Sequence, residues 1–291
     1  MTAPWNDRLS PGDTAAPALS LRQQALDALL QPEPAVKADA ARALQAQALA
    51  YPSWAVEGGG EGCLPLSASQ RAALPGRPLK PSLVPAKDVP TRSPFTLEGR
   101  AALLHAICHI EFNAINLALD AVWRFDDMPA DFYTDWLKVA AEEALHFTLL
   151  REHLQGLGHD YGDFDAHNGL WAMCERTAHD ILARMALVPR TLEARGLDAT
   201  PPIQAKLRKA GDEAAVGILN IILRDEVGHV AIGNRWFHHL CRQRGLDPVL
   251  VYPELVTRYE APRLKPPYNM EARLKAGFTD AEMRFLLGED H

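Results

Sequence analysis

The sequence predicts an all-α protein organised around a four-helix bundle. Three observations carry this. From Leu97 to Arg242, apolar residues recur every three to four positions in four long runs, as on buried helix faces. Pro129, Gly156, Gly158, Gly196 and Gly245 mark ends of these runs. No useful stretch shows the strict alternation of a half-buried strand.

Residues 1–96 read as N-terminal helices followed by an arm. Two short Ala- and Leu-rich helical patterns occupy 17–50, split by Pro32 and Pro34. Tyr51 to Pro94 carries Gly58-Gly59-Gly60 and prolines at 52, 65, 75, 78, 81, 85, 90 and 94. Proline fixes φ and lacks an N–H, so an extended arm is expected. Its Leu64, Leu66, Leu74, Leu79, Leu83 and Val84 are expected to hold it against the main body. Residues 97–242 form the bundle. The first helix runs from Leu97 to Phe125, with Thr96 as N-cap. The second covers 131–155. The third covers 168–195, with Pro189 kinking its last turns. The fourth ends at Arg242 and starts either near Pro202 or after Gly211. Residues 243–291 read as a C-terminal extension, proline-broken from Tyr252 to Pro267, with a short last helix from about Thr279.

Composition bounds the function. The 291 residues are 47% hydrophobic and 23% charged, which suits a folded globular chain. A net charge of -7 argues against a broad nucleic-acid-binding surface. No apolar run approaches the ~20 residues of a membrane span. Met1 to Asp7 has neither the basic nor the apolar part of a secretory signal. Cys63, Cys108, Cys174 and Cys241 are scattered, with no Cys-x-x-Cys pair. The expectation is a cytoplasmic protein with reduced thiols and no membrane association.

Two Glu-x-x-His motifs stand out, Glu143-Ala-Leu-His146 and Glu226-Val-Gly-His229. An i,i+3 step places both side chains on one helix face. On the second helix that face reads Trp136, Val139, Ala140, Glu143, His146, Phe147, Leu150. On the fourth it reads Leu219, Ile222, Leu223, Glu226, His229, Val230. The first helix repeats the pattern with one carboxylate: Ile107, Cys108, Glu111, Ala114, Ile115, Ala118, Leu119. Burying an unpaired carboxylate costs several kcal/mol or forces protonation. A metal cluster explains several such acids together. One Glu from each of two helices plus Glu-x-x-His from the other two is the ligand set of di-iron and di-manganese bundles. Four carboxylates neutralise two divalent ions, and carboxylate with imidazole suits iron or manganese.

The third helix must then supply a carboxylate, and Glu175 and Glu193 both qualify. Antiparallel geometry with a tight turn near 197–203 favours Glu175. Chain spacing favours Glu193: intervals of 32, 50 and 33 residues separate Glu111, Glu143, Glu193 and Glu226. Glu193 is adopted, which requires 197–211 to be a long connection. The alternative for Glu193 is an ion pair with Arg190 or Arg195. For Glu111 it is a pair with His105, Arg100 or Arg124. His105, His109, His153 and His179 read as supporting or packing residues. Asp225 and Glu142 could orient a ligand histidine, although a neighbour on a helix points about 100° away. The tryptophans at 123, 136, 171 and 236 read as core.

The runs His105-Ala-Ile-Cys-His-Ile-Glu111, Asp135-Trp-Leu-Lys-Val-Ala-Ala-Glu-Glu143-Ala-Leu-His146-Phe, Ala183-Arg-Met-Ala-Leu-Val-Pro-Arg-Thr-Leu-Glu-Ala-Arg-Gly-Leu-Asp198 and Ile222-Leu-Arg-Asp-Glu226-Val-Gly-His229-Val resemble a bacterial family of unknown function, domain 455, within the ferritin-like superfamily. The resemblance extends from the N-terminal helices to Ala276-Gly277-Phe278. More distantly, the chain is similar to the ferritin-like tRNA hydroxylase that acts on a modified adenosine. These resemblances imply a di-iron bundle and leave the substrate open.

The metal ligands expected are therefore Glu111, Glu143, His146, Glu193, Glu226 and His229, holding two divalent ions, iron in the first place and manganese as the other choice. The function expected is O2 activation by a di-iron or Fe/Mn oxidoreductase, a hydroxylase among the options. Its partners would be an electron donor and a small-molecule or modified-nucleotide substrate, and a homodimer is compatible with the reading. Ferroxidase or metal-storage activity, and a non-enzymatic helical scaffold, stand as alternatives.

Overall fold

The computed structural model describes residues 20–52 and 64–289. The Gly58-Gly59-Gly60 run, Cys63 and the first residues of the N-terminal helical pattern lie outside them. Among the described residues the regular secondary structure is all helical, with one isolated backbone bridge between Leu83 and Ala166. In order, α1 is Leu21–Leu30, α2 Pro34–Ala50, α3 Ala68–Ala73, α4 Leu97–Arg124 and α5 Ala130–Gly156. Then come α6 Gly169–Arg176, α7 Ile181–Leu187, a π-helical turn Val188–Glu193, α8 Ala194–Lys209 and α9 Glu213–Arg244. The chain ends with α10 Pro248–Arg258, α11 Met270–Lys275 and α12 Asp280–Leu287.

Four helical rods build the centre: α4, α5, the α7–π–α8 run and α9. The hydroxyl of Thr96 accepts from Gly99 N at 3.1 Å and starts α4. By length and composition α4 could cross a membrane, but its most apolar part is mostly buried inside the protein, so it is a core helix. Trp123, Trp136, Trp171 and Trp236 are buried, as expected.

The third rod departs from the expected 168–195. Residues 169–176 form the separate α6, and the chain breaks at Thr177–Asp180. Arg184 fills the break: it donates to Thr177 Oγ1 at 2.8 Å, to the Cys174 carbonyl at 2.5 Å and to Asp120 at 2.5 Å. Asp180 caps the restart by accepting from Leu182 N at 3.0 Å. The rod then runs from Ile181 to Lys209 without a long connection at 197–211. Pro189 sits in the π turn, where its missing N–H does least harm to the α ladder. Pro201 and Pro202 lie inside α8. Pro201 cannot donate to the Leu197 carbonyl, which instead accepts from Asn269 Nδ2 at 3.1 Å. Gly196 and the proline pair look like a stop only while that remote donor is invisible.

The fourth rod starts after Gly211, whose φ of +79° suits glycine, with Asp212 accepting from Ala215 N at 3.0 Å. It ends in the left-handed Gly245. Beyond it, α10 passes through Pro253 to Arg258, so the tail is helical further than its prolines suggest. The last helix begins after a Thr279 capping box.

Helices α1 and α2 pack on α4 and α5. Buried Arg22 donates to the Trp123 carbonyl, and buried Lys37 to the Gly76 carbonyl and Asn116 Oδ1. Gly76 anchors the arm through Gly76 N to Leu29 O at 2.9 Å, and a Cβ there would lie 2.1 Å from the Leu30 carbonyl oxygen. Leu64, Leu66 and Leu74 pack against the core. Leu79 and Leu83, expected to do the same, are exposed because the backbone bridge to Ala166 holds that stretch instead.

The π turn rests directly on α9. A Cβ at Gly233 would stand 2.5 Å from Pro189 Cβ, in a ring that cannot rotate away. Gly233→Ala should therefore destabilise the fold by about 1–3 kcal/mol through overpacking, read as a shifted denaturation midpoint at unchanged slope.

Candidate metal centre

Six side chains named from the sequence point inward from four rods. Glu111 comes from α4, Glu143 and His146 from α5, Glu193 from the end of the π turn, and Glu226 and His229 from α9. All are buried. The structure brings five of them into two triads, Glu111–Glu143–His146 and Glu143–Glu226–His229. Within each triad the candidate ligand atoms all lie within 4.8 Å of one another. Glu143 belongs to both. Its Oε2 lies 3.2 Å from His146 Nδ1, and its Oε1 lies 2.9 Å from His229 Nδ1. It thus offers one oxygen to each triad. His146 Nδ1 also meets Glu111 Oε2 at 3.1 Å. Glu193 stands beside this group, within electrostatic reach of Glu143, Glu226 and His229. Glu175 is exposed on α6, outside the third rod.

The other pairings considered for these acids are not formed. Arg100 pairs with Asp212, Arg124 with Asp120, and His105 accepts from Gly162 N. Arg190 turns away from Glu193 and binds Glu282 at 2.7 Å and Asn234 Oδ1 at 2.7 Å. Arg195 is exposed. His109 holds the 157–168 loop through Tyr161, and His153 pairs with Asp212.

Sequence reasoning reached only half of the outer arrangement. Each histidine is braced across the helix pair, not along its own helix. His146 Nε2 donates to Asp225 Oδ2 of α9 at 3.1 Å, and His229 Nε2 donates to Glu142 Oε2 of α5 at 2.9 Å. Each acid precedes a glutamate of the opposite motif. The offset of about 100° from that glutamate is what lets it reach the partner helix's histidine. The bracing leaves Nδ1 of both rings facing the glutamates. The C-terminal grip on the π turn through Arg190, Glu282 and Tyr252, which bonds Thr191 at 2.9 Å, had no sequence signal.

The donor set fits a metal. Glu143 Oε1, Glu226 Oε2, His229 Nδ1 and both oxygens of Glu193 are buried without a hydrogen-bond partner. His229 Nδ1 and Glu143 Oε1 approach to 2.9 Å yet are not aligned as donor and acceptor. Buried polar atoms left so cost free energy unless something else binds them. Carboxylate oxygens and imidazole nitrogens are the ligands of iron, manganese and zinc. Among the described residues no thiolate takes part: Cys108 points its thiol at the Phe147 carbonyl, 3.7 Å away, and burial pushes that thiol up. These groups could hold a metal ion.

Residues 30–284 match the family described as "Protein of unknown function (DUF455)". The chain belongs to this family. It is also 56% identical over 216 residues to an "Uncharacterized protein" of Haemophilus influenzae (strain ATCC 51907 / DSM 11121 / KW20 / Rd), covering 72% of this chain and 75% of the relative. No solved structure matches the chain.

Without metal, this DUF455 centre must be neutralised by protons. Burial, reinforced by the Glu143 carboxylate, pushes Glu111 and Glu193 up to about 8. Burial and Glu143 likewise push Glu226 well up, with Glu111 and Glu193 adding to them. Burial alone would raise Glu143 too, but His229 and His146 overcome it and hold its carboxyl below the usual range. His146 loses some basicity to burial, yet Glu111 and Glu143 push it up to about 12, and His229 is raised for the same kind of reason. In the metal-free centre, burial and mutual repulsion thus favour the protonated forms of Glu111, Glu193 and Glu226, while Glu143 and the two imidazoles favour each other's charged forms.

The sign of the pH dependence follows. A carboxyl raised from 4.5 to about 8 stabilises the fold at low pH, and that contribution is lost as pH climbs from 4.5 to 8. An imidazole raised from 6.5 contributes fully below 6.5 and is lost above it. Metal-free protein should therefore melt at falling temperature as pH rises from 6.5 to 8, followed by calorimetry with a chelator present. Metal uptake must displace these protons. Loading at pH 7 should release up to one each from Glu111, Glu193, Glu226, His146 and His229, counted by titration calorimetry in buffers of different ionisation enthalpy.

Proposed function

We propose that this protein is a di-metal carboxylate oxidoreductase, with iron as the preferred metal, acting on a small-molecule or modified-nucleotide substrate. The observation carrying the reading is Glu143, one carboxylate that turns its two oxygens toward two buried histidines in two triads. A carboxylate so placed could serve as a ligand in both triads. Glu111 and His146 would serve one ion, and Glu226 and His229 the other. Glu193, with both oxygens unpartnered, would complete the set. The four glutamates would then neutralise two divalent charges in a space too dry to leave them bare.

When bound, two redox-active ions supply the electrons and open positions needed to activate O2. The chain supplies the rest. Asp225 and Glu142 orient the imidazoles, take their outer N–H groups and make them stronger donors. Burial of Glu143, His146 and His229 excludes water from that side.

Three supports are independent of the resemblance noted in the sequence: the paired triads, the unpartnered carboxylate oxygens and the crossed bracing of the histidines. A storage role would need nothing more from a single chain than ion binding. Membership in the ferritin-like superfamily fits the same features and belongs to this proposal.

Anaerobic loading with ferrous iron should give two ions per chain by elemental analysis, and exposure to air should consume O2 faster than the same iron in buffer. Glu143→Gln should cut iron retained after gel filtration by at least ~10-fold and abolish the accelerated uptake. Iron-free wild-type protein after loading would defeat the reading. Stripping the metal should cost several kcal/mol of stability, visible as a fall in melting temperature on adding chelator at pH 7.

A further inference from the structure

The side chains of the centre differ in exposure. Glu143, His146 and His229 have none, and the outer ring nitrogens are tied to Asp225 and Glu142. Glu111, Glu226 and Glu193 keep 3%, 6% and 7% of their surface exposed, although both oxygens of Glu193 and Oε2 of Glu226 are themselves covered. What exposure the centre keeps thus lies at these three glutamates, not at the imidazoles.

Gly196 stands beside Glu226. It lies three residues beyond Glu193, on the same face of the continuous 181–209 run. It is half-buried. A Cβ built there would have one neighbour within 4 Å, the Glu226 carboxyl carbon at 3.9 Å. The space beside the Glu226 carboxyl group is therefore open where a Cβ at 196 would stand. Glycine is disfavoured inside a helix, so the position forgoes stability for that space. The acids bordering it carry the unpartnered Glu226 Oε2 and both unpartnered oxygens of Glu193, each side chain more than nine-tenths buried.

We propose that Gly196 keeps open the route by which small exogenous ligands, lone-pair donors of the size of azide or dioxygen, reach the centre. The inference rests on the metal-binding reading above. The missing side chain at 196 then acts as a size filter over Glu226, between α8 and α9.

The test uses full-length protein loaded with cobalt(II), whose visible bands report added azide. Gly196→Val fills the opening, Gly196→Ala half-fills it, and Gly217→Val makes the same change at an exposed site on α9 with nothing within 4 Å. Gly196→Val is expected to keep its cobalt while its azide association rate falls at least tenfold. Gly196→Ala should show a smaller fall and Gly217→Val none. Cobalt bound with an unchanged azide association rate in Gly196→Val overturns the proposal and leaves the metal reading standing. If the valine expels cobalt, the alanine variant decides: slower azide binding supports the route, an unchanged rate removes it. Wild-type protein that takes up no cobalt overturns the metal reading itself, and the route falls with it.

Discussion

Glu111, Glu143, Glu193 and Glu226 converge in a buried site, and like charges so close in a medium of low polarity cannot all remain ionised. Something positive must enter, either protons or cations. The histidines supply part of the answer, since His146 and His229 sit against Glu143 and share its charge. They leave Glu193 and one oxygen of Glu226 without a partner. The surrounding protein is built to hold this group together against its own repulsion.

Much of that restraint comes from far along the chain. Asp225 and Glu142 cross between α5 and α9, so neither motif is complete on its own helix. The π turn that delivers Glu193 is held by the C-terminal extension. Arg190 meets Glu282 and stacks on Phe237, Tyr252 and Phe278, while Arg273 binds Asp198 at 2.6 Å. Asn269 takes the carbonyl that Pro201 frees. The tail is therefore a structural partner of the third rod, and a long helix containing three prolines survives because another segment satisfies its backbone.

The stripes around Glu111, Glu143 and Glu226 were legible because an amphipathic helix writes its buried face into the sequence at fixed spacing. A polar residue in that face is conspicuous. The third rod was not legible in the same way. Gly196, Pro201 and Pro202 are local stop signals, and only a donor more than 60 residues away in sequence, Asn269, removes their effect. Likewise Trp171, in its own short helix α6, looked continuous with Ala183 because Thr177–Asp180 has neither glycine nor proline to announce the break.

The sequence by itself determined an all-helical fold, the inward face of α4, α5 and α9, and the residue types gathered there. These follow from helical periodicity and side-chain chemistry, both local properties. Tertiary structure alone decided which atoms meet: that Glu143 faces both histidines, that each histidine is braced from the opposite helix, and that Glu193 rather than exposed Glu175 stands beside them. Those outcomes depend on the relative rotation and register of packed rods, set by side chains distant in sequence, which no single helix encodes.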